Sequence, residues 1–279
     1  MPLARAKVNL WLKVVGRRPD GYHLLDSLVA FADLADSLEA SPSDLLSLAV
    51  DGPGEAALSK ETDNLVLKAA RLLADRAGAA PRAALRLTKR IPVAAGLGGG
   101  SADAAAALQA LVALWRVALP VDELFDLAGR LGADVPMCLA GRAALVSGIG
   151  ERLAPAPPLP ACGLLLVNPA VALPTADVFA ARRGDFSRAA PLARPWFDLA
   201  SLVEALAARG NDLTVAATAL CPAIADVLAF LRKSAAVRYA AMSGSGATCF
   251  ALYDTPGAAE RIAANVPAVW WRHAGTLVA

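Results

Sequence analysis

The stretch Ile91-Pro-Val-Ala-Ala-Gly-Leu-Gly-Gly-Gly-Ser-Ala-Asp-Ala-Ala-Ala-Ala-Leu108 sets a helix-breaking proline, a glycine cluster and an alanine-rich helix former in that order. This is the order of an anion cradle. Gly96, Gly98, Gly99 and Gly100 permit left-handed backbone angles and leave no side chain in the way, so successive N–H groups can turn toward one phosphate. From Ser101 the chain is predicted to be helical, with Leu108, Leu111, Val112 and Trp115 at i, i+3, i+4 and i+7. The loop therefore feeds a helix N-terminus carrying about half a positive charge. An ordinary helix entry needs one glycine, whereas four in five positions suit a loop that holds polyphosphate.

Two widespread phosphate motifs are absent. G-x-x-x-x-G-K-[ST] lacks its lysine after Gly100, and G-x-G-x-x-G meets Ser101 where its third glycine belongs. Upstream of the loop, Leu85 and Leu87 mark a strand running into Pro92, and Thr62 opens a predicted helix with Leu65, Val66, Ala69, Leu72 and Leu73 on one stripe until Gly78. Downstream, a helix starting near Pro120 and Asp122 stops at Gly132, with Asp134 just beyond.

At the N-terminal end Ala4, Ala6, Val8, Leu10, Leu12 and Val14 alternate with Arg5, Lys7, Asn9, Trp11 and Lys13, the pattern of a half-buried strand. Strand statistics favour a solvated polar face over one that lines a cleft. Pro-Asp-Gly21 marks a turn, and 27–38 and 45–50 are predicted strands. The proline-dense Ala154-Pro-Ala-Pro-Pro-Leu-Pro160 is expected to be a linker between domains spanning 1–155 and 156–279. Beyond it, strands at 163–167, 238–241, 248–253 and 268–272 alternate with helices near 199–207, 216–231 and 258–265, as in a small α+β domain.

Composition excludes several classes of function. The 279 residues carry 27 Lys and Arg against 25 Asp and Glu, so no global field attracts nucleic acid or an anionic membrane. The apolar fraction is 57%, yet charged residues or prolines interrupt every run short of the roughly 18 residues of a membrane span. Lys7 and Asn9 break the segment where a signal peptide would have its apolar core, and a cytoplasmic location is expected. The four cysteines are far apart with only two His to help, so buried thiols are expected rather than zinc ligands or disulfides.

Phosphoryl transfer needs an oriented acceptor oxygen, a base or aiming group beside it, and cations facing the phosphoryl oxygens. Lys7 and Asp134 are the candidates. Asp134 follows a helix C-terminus, where a bare carboxylate is disfavoured and asks for a partner. A lysine contact would keep it ionised at neutral pH.

The pattern P-x-x-x-G-L-G-G-G-S-A at 92–102 resembles the phosphate loop of the GHMP kinase superfamily. An early strand lysine, a catalytic Asp and the late glycine loop Met242-Ser-Gly-Ser-Gly-Ala-Thr-Cys-Phe250 follow the family's order, and the likeness covers nearly the whole chain. Arg18-Pro-Asp-Gly-Tyr-His23, Leu131-Gly-Ala-Asp-Val-Pro136, Pro174-Thr-Ala-Asp-Val-Phe179 and Asn211-Asp-Leu213 resemble the branch that phosphorylates a cytidine-diphosphate-bearing methylerythritol in non-mevalonate isoprenoid synthesis. The weakest stretches are 51–60 and 182–194.

The resemblance implies an α+β, two-domain GHMP kinase fold: an N-terminal ribosomal-protein-S5-like domain and a C-terminal ferredoxin-like domain. It implies Lys7 and Asp134 as the catalytic pair, acting on a 2-hydroxyl. Pro92, Val93, Ala94, Ala95, Gly96, Leu97, Gly98, Gly99, Gly100, Ser101 and Ala102 would hold ATP phosphates, with Asn64 and Lys89 near the adenine. Tyr22, His23 and Phe179 would hold cytosine, and Asn9, Thr175, Gly244, Ser245 and Gly246 would lie by the acceptor. Mg2+ is expected with ATP, and its ligands are not legible, although Ser101 could reach it and Asp103 is near in sequence. The expected partner is a small molecule, with no nucleic acid, membrane or protein partner indicated. A kinase for homoserine or a mevalonate derivative would give 18–23 no role, and an RNA-binding module of similar fold would need neither Lys7 nor Asp134 and would be more basic than +2.

Overall fold

The structure is a computed structural model that describes residues 2–53, 64–190, 192 and 194–278. The chain divides into two compact units, neither continuous in sequence. The first comprises Met1–Ala6, Leu34–Val93 and Gly98–Gly141; the second comprises Lys7–Asp33, Ala94–Leu97 and Arg142–Ala279. The two long strands β1 (Leu3–Arg17) and β2 (His23–Ser41) supply residues to both.

In the first unit, β3 (Ser47–Asp51) lies parallel to β4 (Ala84–Thr88), which pairs antiparallel with the end of β2, from Ser37 against Thr88 to Ser41 against Ala84. Among the described residues it also holds the helices α1 (Leu65–Ala77), α2 (Gly99–Trp115), α3 (Val121–Leu131) and α4 (Val135–Ala140). Helix α1 starts at an Asn64 cap, and the expected opening at Thr62 lies outside the described residues. It ends, as expected, at Gly78 in the left-handed region. Helix α2 is buried on most of its circumference, because alanines let its neighbours approach from several sides.

The second unit holds an antiparallel run in the order β10 (Trp271–Val278), β7 (Gly163–Asn168), β9 (Cys249–Tyr253) and β8 (Tyr239–Met242). The start of β2 pairs with β5 (Ala144–Gly148), which pairs with β6 (Arg152–Pro155). Helices α5 (Thr175–Ala181), α6 (Leu199–Arg209), α7 (Thr214–Leu220), α8 (Ala223–Arg232) and α9 (Pro256–Ala263) belong here too. A core built on Leu165, Val167, Ile224, Leu231 and Ala251 joins the sheet to these helices.

Several expectations need correction. The second face of β1 is not solvated: Asn9 and Trp11 are buried at 5% and 2% exposure. The helix expected over 216–231 is two, α7 and α8, because Pro222 lacks the N–H and the clearance to continue the first. The strand expected at 268–272 begins at Trp271, since Trp270 N–H closes a turn onto the Pro267 carbonyl at 2.9 Å. The proline-dense segment is not a free linker. Ala154 and Pro155 end the edge strand β6, Leu159 is buried, and Trp196 Nε1 donates to the Pro158 carbonyl at 2.7 Å. No disulfide joins the four cysteines; Cys162, Cys221 and Cys249 are buried and Cys138 partly so. Among the described residues no helix is long and apolar enough to cross a membrane.

One core group is chemically out of place. Tyr253, at the end of β9, is fully buried, and among the described residues nothing hydrogen-bonds its hydroxyl; burial also pushes its pKa up to about 12. Tyr253→Phe keeps the ring and removes the unpaired polar atom, so urea unfolding at pH 7 is expected to show a gain of about 1 kcal/mol. A loss of that size would mean that the hydroxyl has a partner.

Candidate active site

The glycine loop takes the strained path its sequence suggests, with one surprise. Gly96 and Gly98 are left-handed, at φ 74° and 65°, but so is Ala94 at 55°, a conformation that side chains other than glycine rarely adopt. Gly99 and Gly100 are not left-handed: α2 starts two residues before the expected Ser101, and they form its first turn after the Gly98 cap. Gly99 is small for another reason, since a Cβ there would stand 3.2 Å from Lys89 Nζ and 3.3 Å from Ile91 Cγ2.

Within the first unit, Lys89 turns inward. Its side chain is 3% exposed, and its ammonium pairs with Asp36 and, at 2.7 Å, with Asp103. Asp36 Oδ1 also accepts from the Arg90 and Ile91 N–H groups at 2.5 and 2.8 Å. Burial works against the Lys89 charge, but the two carboxylates outweigh it and hold its pKa above the ordinary value. Burial raises the Asp103 carboxyl to about 7 against the pull of Lys89. Asn64, buried, spends its side-chain oxygen on capping α1, accepting from Val66 N–H at 2.9 Å. Asp134 sits at the N-cap position of α4, with Pro136 in the first turn, rather than only beyond the end of α3. The sequence pattern missed this six-residue helix, whose N-terminal end favours a carboxylate that the preceding C-terminus would repel.

Within the second unit, Lys7 Nζ donates to Asn9 Oδ1 at 3.3 Å, and Asn9 Nδ2 donates to Ser27 Oγ at 2.9 Å. The Asn9 N–H donates to Ser243 Oγ at 3.0 Å, which brings the late glycine loop beside β1. Lys7 N–H also binds the Leu97 carbonyl at 2.9 Å. The segment 94–97 rests on the same late loop: a Cβ on Gly96 would stand 2.2 Å from the Gly246 carbonyl oxygen, and Thr248 Oγ1 donates to the Ala95 carbonyl at 2.5 Å. Asn211 Nδ2 holds that loop through the carbonyls of Met242 and Gly244, both at 2.8 Å. Thr175 Oγ1 and Ser245 Oγ are 2.9 Å apart.

His23 stacks on Phe179 at 5.1 Å between centroids and meets the edge of Phe186 at 6.4 Å. Burial first, then the charges of Arg17 and Arg182, lower its pKa, so at neutral pH the ring is an uncharged imidazole with one donor and one acceptor nitrogen. Tyr22, the residue before His23, is 61% exposed.

Lys7, Asn9, Thr175, Gly244, Ser245, Gly246 and 94–97 thus lie in one unit with the His23–Phe179 stack, while Asn64, Lys89, Asp134, 92–93 and 98–102 lie in the other. Sequence reading missed Phe186, and it missed that Asn211 anchors the late loop. The Asn211-Asp-Leu213 run signals only the local bond from Leu213 N–H to Asn211 Oδ1, since the anchored carbonyl of Met242 lies 31 residues away.

Comparison with known proteins accords with this geometry. The family described as GHMP kinases N terminal domain matches residues 64–142, and that described as GHMP kinases C terminal matches residues 190–270. A 4-diphosphocytidyl-2-C-methyl-D-erythritol kinase of Paramagnetospirillum magneticum is 55% identical over 271 residues, covering 96% of this chain and 95% of that one. The protein of the same name from Rhodospirillum rubrum is 52% identical, covering 99% and 91%. A crystal structure of 4-(cytidine 5'-diphospho)-2C-methyl-D-erythritol kinase superposes with a TM-score of 0.83 at 40% identity, covering 99% of this chain and 98% of that one. A homoserine kinase from Cytophaga hutchinsonii shares the fold at a TM-score of 0.71 and 19% identity, covering 99% and 93%. The chain belongs to the GHMP kinases and, within them, to the 4-diphosphocytidyl-2-C-methyl-D-erythritol kinase family.

Proposed function

We propose that this chain transfers the γ-phosphoryl group of ATP to the 2-hydroxyl of 4-diphosphocytidyl-2-C-methyl-D-erythritol, giving the 2-phosphate and ADP in the cytoplasm as a step of non-mevalonate isoprenoid precursor biosynthesis. Full-length likeness to kinases of that substrate carries the reading. The left-handed loop feeding the N-terminus of α2 supports it, because backbone N–H groups free of side chains suit a polyphosphate. The family modules are taken to meet at 155/156, and the acceptor is a small molecule carrying cytidine diphosphate.

In this reading 92–102 hold the ATP phosphates. The acceptor oxygen attacks the γ-phosphorus, the bond to the β–γ bridging oxygen breaks, and ADP leaves with that electron pair. Asp134 accepts the hydroxyl proton or aims the hydroxyl, and the Lys7 ammonium faces charge developing on the phosphoryl oxygens. Asn9 orients Lys7, while Thr175 and 244–246 lie by the acceptor. A bound Mg2+ would neutralise phosphate charge. Among the described residues no group of three or more His, Cys, Asp or Glu is placed to hold a metal ion. Ser101, in the first turn of α2, is the hydroxyl available to it, and Asp103 is committed to Lys89.

Asp134→Asn is expected to lower kcat about a hundredfold or more with little change in ATP affinity. Turnover of the purified variant near that of wild type would remove Asp134 from the chemistry. The cytosine end has its own test. Tyr22→Ala with His23→Ala is expected to raise KM for the cytidine-bearing acceptor about ten- to a hundredfold while KM for ATP stays within a small factor. Equal losses for both substrates would assign the turn and its stack a folding role instead.

A further inference from the structure

Three charged groups lie deep in the first unit, where charge is costly unless geometry uses it: Lys89, Asp36 and Asp103, at 2%, 0% and 3% exposure. Their hydrogen bonds have a particular direction. From β2, Asp36 grips residues 89–91 through the Arg90 and Ile91 N–H groups and the Lys89 ammonium. That same ammonium reaches Asp103 on α2. Residues 89–91 are the last before Pro92, and Asp103 is the fifth residue after Gly98, so the bonds join the chain on both sides of the loop 92–98. Gly99 seats the first turn of α2 against this ammonium, where a Cβ would stand a tight 3.2 Å from Lys89 Nζ. Among the described residues no donor reaches Asp103 Oδ1, so Lys89 is the group that offsets that carboxylate.

We propose that Lys89, bridging Asp36 and Asp103, is a positioning residue that staples the two ends of the phosphate loop and holds it in its ATP-receiving conformation before ATP arrives. The inference rests on the ATP-binding reading of the loop. A loop with Ala94, Gly96 and Gly98 in left-handed conformations does not hold that path by local preference, and ordering it on binding would weaken affinity. A staple outside the loop removes that cost and leaves the backbone N–H groups uncovered. It also gives the buried Lys89 ammonium a role of its own, apart from the adenine proximity that family resemblance implies for this residue.

The test is Lys89→Met combined with Asp103→Asn. This cuts the bridge, leaves no unpaired charge at 103 and lets Asp36 keep its two backbone donors. In ligand-free protein, amide exchange across 92–102 is expected to rise about tenfold or more. The Kd for ATP is expected to rise about tenfold or more, with kcat at saturating ATP and KM for the acceptor within about threefold of wild type. Leu73→Ala, a core truncation in α1, controls for general destabilisation and should leave both loop exchange and ATP Kd within about twofold. Unchanged loop exchange in the double variant, or losses matched by Leu73→Ala, would overturn the staple. Should the double variant not fold, Asp103→Ala, which leaves Lys89 paired with Asp36, is expected to speed the same exchange about threefold, and no change there is equally decisive. Wild-type protein unable to bind ATP would instead defeat the proposed function, because the exchange comparison needs no nucleotide.

Discussion

A loop that is to cradle polyphosphate, as we propose for 92–102, must offer backbone N–H groups with nothing in front of them, a constraint that acts at close range. It demands left-handed turns at Gly96 and Gly98, and it places Gly96 so near the Gly246 carbonyl that any Cβ would stand 2.2 Å from the oxygen. The late glycine loop is therefore a structural neighbour of the 94–97 segment as well as a candidate substrate contact. Its own anchors follow from the same need: Asn211 grips its carbonyls, Ser243 accepts from the Asn9 N–H, and Thr248 bonds the Ala95 carbonyl. Each tie uses a short polar side chain to fix backbone and keeps bulk away.

Within the first unit the residues flanking the loop are tied by charge. Asp36, Lys89 and Asp103 form a buried, three-membered network whose members come from β2, the run before Pro92 and α2. Buried ion pairs seldom add much stability relative to apolar residues of similar volume, so their value here lies in orientation. Helix α2 supplies the remaining requirement. Its alanines allow burial on most sides, which fixes the helix in the core of the first unit.

What the sequence made legible was what depends on local pattern. Alternation in 4–14, the Gly78 stop, the glycine loop and most of the strands beyond residue 160 follow from side-chain period and backbone freedom, and the structure has them. What depended on partners distant in the chain was not legible. The polar face of β1 reads as solvated, yet Asn9 and Trp11 are covered by Ser27, Ser243, Trp196 and Arg209 from far along the sequence. Lys89 is named beforehand only as a residue near the adenine, by family resemblance, and its burial was not legible because its partner Asp36 lies 53 residues away in the chain. Short helices were missed for a related reason: α4 and α5, of six and seven residues, are too brief for a period to emerge. The His23–Phe179 stack joins residues named together only through family resemblance, since nothing local links them.

The central claim is the choice of acceptor, and it is tested most directly by offering the purified protein ATP with one alcohol at a time. The panel is 4-diphosphocytidyl-2-C-methyl-D-erythritol, homoserine, mevalonate and galactose; ADP is measured, and the new phosphate is located by phosphorus NMR. The account predicts ADP with the first compound alone and a single new phosphate on its 2-oxygen. ADP formed with another member of the panel in its place, or phosphate on a different oxygen, would contradict it.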